Sequence, residues 1–92
     1  MKHIILVNPV AGNKKGIKYG NVIKKLLIKN NIPSEMYISE FKGHLTKISK
    51  ELSSKETCRF YSIGGDGSLN EIVAGITKTD SEIVVIASGT RK

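Results

Sequence analysis

The chain has 92 residues, which sets a limit of one small domain. Apolar residues make up 39% and charged residues 25%, an ordinary globular balance that argues against disorder. The net charge of +7 favours anionic partners, but the lysines are dispersed, so solvated helix faces explain them equally well. Nucleic acid is not expected as a partner, because there is no arginine-rich helix, no zinc spacing and little aromatic content.

His3 to Val7 is a short apolar run rich in β-branched residues, expected to be a buried, central, parallel strand. Asn8-Pro9 ends it. The run is too short for a signal peptide and lacks a cleavage site. A loop from Pro9 to Lys15 leads into a helix expected over 16–31. There Tyr19, Val22, Ile23, Leu26 and Leu27 define the apolar face, with Lys18, Lys24, Lys25 and Lys29 outside it. Asn30-Asn31 and Pro33 stop that helix. Met36 to Ile38 read as a second strand ending near Ser39, and Phe41 to Gly43 as a loop. A second helix is expected over 44–53, with Leu45, Ile48 and Leu52 inward.

Cys58 to Ile63 read as the third strand. Cys58 is the only cysteine, so no disulfide can form within the chain and a buried structural thiol is expected. Gly64-Gly65-Asp66-Gly67 is a tight turn before a third helix starting near Ser68. Leu69, Ile72, Val73 and Ile76 form its expected buried face, and Ser68 with Glu71 has capping-box spacing. Ile83 to Ala87 are the fourth strand, followed by Ser88-Gly89-Thr90. The β-α-β-α-β-α-β alternation predicts an α/β fold, a parallel sheet with helices on both faces.

Ligands of open parallel sheets bind beyond the carboxyl ends of the strands. The loops beginning at Asn8, Gly64 and Ser88 converge there. The Gly64 turn suits a phosphate: glycines let it approach the backbone, and a helix start adds unpaired N–H groups. Ser68 adds either a hydroxyl donor or a helix cap. Asp66 repels phosphate unless a cation intervenes, and reads as a ribose, magnesium or loop-organising group, with at most a supporting catalytic role. The alternative is a glycine-rich turn that binds nothing. Gly12 to Gly16 encloses three residues, whereas a P-loop needs four followed by Lys and Ser/Thr. Lys14 and Lys15 either meet phosphates or stay solvated. His3 and His44 show no partner at fixed spacing, and no metal-ligand set emerges.

Taken together, these segments resemble a known family. Asn8-Pro9-Val10-Ala11-Gly12 is similar to the N-P-x-[AS]-G signature of the diacylglycerol kinase catalytic domain. Gly64-Gly65-Asp66-Gly67-Ser68-Leu69-Asn70-Glu71-Ile72 resembles its G-G-D-G-[TS]-x-N-E-[VI] loop, and Ser88-Gly89-Thr90 its third element. Ser39 stands where the family usually has threonine, and Lys92 where the third element has asparagine. The resemblance implies ATP bound with Mg2+ by Asn8, Pro9, Gly12, Ser39, Gly64 to Ser68, Asn70, Glu71, Gly89 and Thr90. It implies γ-phosphoryl transfer to a lipid hydroxyl. It also implies a second, mostly β domain for the lipid, the general base and much of the metal site. The sequence stops short of that domain, so a truncated nucleotide-binding domain, inactive alone, is expected. Apart from the resemblance, the single cysteine, the lack of a signal peptide and the lack of an apolar run of about 20 residues lead to an expected cytoplasmic location, with at most peripheral contact to an anionic membrane. Two further readings remain: a NAD kinase relative sharing the glycine loop, and a non-catalytic module that binds nucleotide or self-associates through an apolar edge.

Overall fold

The computed structural model describes residues 1–9, 15–76 and 80–87. Four strands and three helices alternate: β1 (Lys2–Val7), α1 (Gly16–Lys29), β2 (Ser34–Ile38), α2 (His44–Lys55), β3 (Cys58–Gly64), α3 (Asp66–Gly75) and β4 (Glu82–Ala87). The strands form one parallel sheet in the order β2-β1-β3-β4. β1 lies inside the sheet, with Ile4 to Val7 wholly buried. A strand buried on both faces needs an unbroken apolar run, which is what this segment has.

Alternation along β1 divides the core between two faces. Ile4 and Leu6 join Phe60, Leu45, Ile48 and Ile72, so α2 and α3 cover that face. Ile5 and Val7 join Tyr61, Ile63 and Leu27 under α1 on the other. The predicted layers are therefore correct. Cys58 is wholly buried, and the desolvation of its thiolate pushes its pKa up, so it is a structural thiol.

α1 ends as Asn30-Asn31 predicted. Asn31 takes a positive φ of 62°, Ile32 N–H donates to Leu27 O at 2.8 Å, and Asn31 N–H donates to Ile28 O at 2.9 Å. This is the paired-bond helix stop in which a left-handed residue caps the last carbonyls. The helix face differs from the sequence expectation. Leu27 is buried and Tyr19 and Ile23 pack against the core, but Val22 and Leu26 are 48% and 50% exposed. Lys24 belongs nearer the sheet than expected, since its Nζ donates to Ser34 O at 2.6 Å.

α2 and α3 cross closely at Gly75, where an added Cβ would collide with Ser49 Oγ and Thr46 O. Side-chain hydroxyls join the helices there. Thr46 Oγ1 donates to Glu71 O at 2.7 Å and Ser49 Oγ to Ile72 O at 3.1 Å. This crossing turns Val73 outward, to 52% exposure, correcting its predicted place in the core.

Candidate nucleotide site at the carboxyl edge of the sheet

The chain leaves β1 toward β2 on one side and leaves β3 toward β4 on the other. β1 and β3 are neighbours, so their following loops diverge and open a crevice between them. This is the switch point at which parallel sheets hold ligands.

Asn8 sits at the centre of this edge. Its N–H donates to Ile63 O at 3.2 Å, placing it beside the end of β3. On its other side Ser39 N–H donates to Val7 O at 2.9 Å. Ser39, Asn8 and Gly64 are thus brought side by side from three strands. Pro9 follows in a turn and shares a cavity with Asn8 and Ser39. Gly12, Gly89, Thr90 and Lys14 lie outside the described residues.

The glycine turn has a specific geometry. Gly64 has φ of 154°, and a Cβ there would collide with Ser68. Only glycine fits a backbone so close to the following helix. The sharp turn starts α3 at Asp66, two residues earlier than predicted. Gly65 is its N-cap, with no side-chain cap bond. Ser68 therefore lies inside the first turn and the predicted capping box does not form. The first helical bond is Leu69 N–H to Gly65 O at 3.2 Å, leaving the amides of Asp66, Gly67 and Ser68 ahead of it without intrahelical acceptors.

Two observations fit a phosphate at this turn. Among the described residues, Cβ atoms built on Gly65 and Gly67 would meet nothing within 4 Å, so none of these residues blocks a ligand's approach to the backbone. The hydroxyl of Ser68, a residue only 4% exposed, is buried behind Gly64 without a hydrogen-bond partner among the described residues. Asp66 is exposed in the first turn, and Asn70 is exposed further along.

Glu71 has a structural partner that the sequence did not reveal. Its Oε1 accepts from Leu45 N–H at 3.3 Å, capping the start of α2. It also lines a cavity of ≈ 330 Å³ with Asn8, Pro9, Ser39, Phe41 and Lys42. Sequence reasoning missed the wall formed by Phe41, Lys42 and Leu45, and the pairing of His44 with Phe41. Their one signal was an aromatic followed three residues later by histidine.

A larger cleft of ≈ 530 Å³ opens at the opposite, amino-terminal edge, among Met1, Lys2, His3, Asn31, Glu35 and Glu56. Lys2 Nζ is engaged there by Glu35 at 3.1 Å and Glu56 at 3.7 Å. His3 Nδ1 and Tyr61 OH are 2.9 Å apart. Its charged groups pair with one another, and it lies away from the switch point, so its size does not make it the site. Among the described residues no group of three or more His, Cys, Asp or Glu could share a metal ion, and no helix is long and apolar enough to cross a membrane.

The model of the diacylglycerol kinase catalytic domain matches residues 2–92. This chain belongs to that family. Family membership agrees with the order of the Asn8 and Gly64 segments along the sheet edge. A Bacillus subtilis (strain 168) protein named "Putative lipid kinase YtlR" is 30% identical over 97% of this chain and 30% of its own length. A ceramide kinase of Arabidopsis thaliana is 27% identical over 78% of the chain and 12% of its own length. A crystal structure of a diacylglycerol kinase from Bacillus anthracis str. Sterne superposes with a TM-score of 0.70 at 26% identity, covering 97% of this chain and 33% of that one. The diacylglycerol kinase-like chain therefore spans less than a third of the relative YtlR and a third of that structure.

Proposed function

We propose that this chain binds ATP as the donor-side part of a diacylglycerol-kinase-like lipid kinase. The Gly64-Gly65-Asp66-Gly67 turn, left uncovered by the described residues at the β1/β3 switch point, carries the reading. The amides of Asp66, Gly67 and Ser68, with the positive end of α3, hold a phosphate. Asn8 and Ser39 orient the rest of the nucleotide from the adjoining strand ends. The net charge of +7 raises the local concentration of anionic nucleotide.

Magnesium fits as an ion carried by the phosphates rather than by a protein cage. Such an ion keeps several waters and takes one or two carboxylates, and Asp66 is the carboxylate at the turn. When bound, it neutralises charge on the transferring phosphoryl group. The acceptor, a lipid hydroxyl, is met by the part of the relatives' length that this chain does not span. The protein works in the cytoplasm or peripherally on an anionic membrane surface.

Titration with Mg-ATP, followed through the backbone amide resonances of residues 64–68, tests the proposal. Selective shifts there are expected, and none of comparable size with NAD. Silence of these amides at millimolar nucleotide would refute it.

A further inference from the structure

The loop after β2 holds an aromatic ring that the phosphate turn does not use. Phe41 is 56% exposed. Its ring stacks on the imidazole of His44, with centroids 4.3 Å apart and planes inclined by 15°. His44 is held in turn. Glu40 N–H donates to its Nδ1 at 2.9 Å, so Nδ1 is the acceptor and the ring proton sits on Nε2. His44 N–H donates to Phe41 O at 3.1 Å, closing a turn through Gly43 at φ of 88°. Two local hydrogen bonds and a stack thus fix a ring that solvent alone would leave free to rotate. Phe41 forms one wall of the ≈ 330 Å³ cavity that reaches Asn8 and Ser39.

We propose that Phe41, braced by His44, is the stacking platform for the nucleobase of the bound nucleotide. The inference rests on the nucleotide-binding reading above. A base stacks on an aromatic face without needing hydrogen bonds. Lys42 beside it supplies a cation near the sugar or phosphates.

The test separates the base from the phosphates. Mg-ATP and Mg-tripolyphosphate are titrated into the wild-type chain, Phe41→Ala and Phe41→Trp. Phe41→Ala is expected to weaken ATP about tenfold and leave tripolyphosphate unchanged. The chain has no tryptophan, so Phe41→Trp introduces a single indole. Its fluorescence should be quenched by ATP and not by tripolyphosphate. Equal losses for both ligands would show a merely structural role, and no loss for either would show no contact. Either result overturns the platform while ATP binding by the wild-type chain leaves the nucleotide reading standing. Release of Phe41→Ala from phosphatidylglycerol vesicles, with ATP affinity intact, would make Phe41 a membrane contact and also overturn it. If the wild-type chain binds neither ligand, both readings fall together.

Discussion

Replacing Gly65 by valine should abolish nucleotide binding while leaving the fold almost untouched. The backbone at Gly65 has φ of −99° and ψ of −160°, an extended conformation with negative φ that does not require glycine. A Cβ there meets nothing within 4 Å among the described residues. Two small terms then oppose each other. Losing glycine from an N-cap costs about 1 kcal/mol, and restricting the unfolded chain returns about 0.4–1 kcal/mol. Stability should stay within about 1 kcal/mol of wild type. The isopropyl group occupies the space through which a phosphate reaches the amides of residues 66–68. Two charge-assisted hydrogen bonds at about 1.5–3 kcal/mol each are lost, so affinity should fall at least about a hundredfold. Urea denaturation and calorimetric titration with Mg-ATP measure the two effects on one sample. Gly64→Val is the contrast: its side chain collides with Ser68 at a positive φ, so the fold itself should weaken. Binding of Gly65→Val within about threefold of wild type would show that the turn is not the cradle.

Glu71→Ala should cost about 1 kcal/mol in a urea titration by removing the cap on Leu45 N–H, and Glu71→Gln should retain most of it. Gly75→Ala gains about 1 kcal/mol in helix propensity but drives a methyl into Thr46 O and Ser49 Oγ; a net loss of about 1–2 kcal/mol is expected, and a gain would refute the close helix crossing. His3 is held below its ordinary value of 6.5, first by burial and then by the charge of Arg59. The folded state then binds fewer protons than the unfolded state. Its contribution is full above pH 6.5 and is lost as pH falls through the lower folded value. His3→Gln should flatten the dependence of the urea midpoint on pH between about 7.5 and 5.

Much of the architecture was legible because the two central strands carry long apolar runs and the first and third helices end at Asn30-Asn31 and Gly75. β2 was read two residues short, since Ser34 and Glu35 are polar and lie on an edge strand whose sequence need not be apolar throughout. Apolar periodicity gave the inward side of α1 only partly. Val22 and Leu26 have the right spacing, yet spacing cannot say how far the sheet reaches beneath a helix. The glycine turn was legible as chemistry. Its boundary was not, because the capping pattern at Ser68 and Glu71 competes with the steric demand of Gly64, and sterics win. Glu71 and the Phe41–His44 stack were illegible for a shared reason. Their partners are set by the crossing of two helices and by a non-periodic loop, neither of which leaves a repeat in the sequence.

The pairing of Lys2 with Cys58 also bears on when the site comes into being. β1 can join β2 through the short intervening helix, but its second edge waits for the most distant strand contact with β3. Such distant contacts carry a large loop-closure cost and tend to form late. Asn8 and Gly64 stand at the ends of those two strands, so the crevice does not exist in a partly assembled chain. A nucleotide that binds it selects the completed fold, and at a hundred times its dissociation constant adds about 2.7 kcal/mol to the stability of the whole domain. If the nucleotide reading holds, nucleotide supply during synthesis would then influence how much of this protein accumulates.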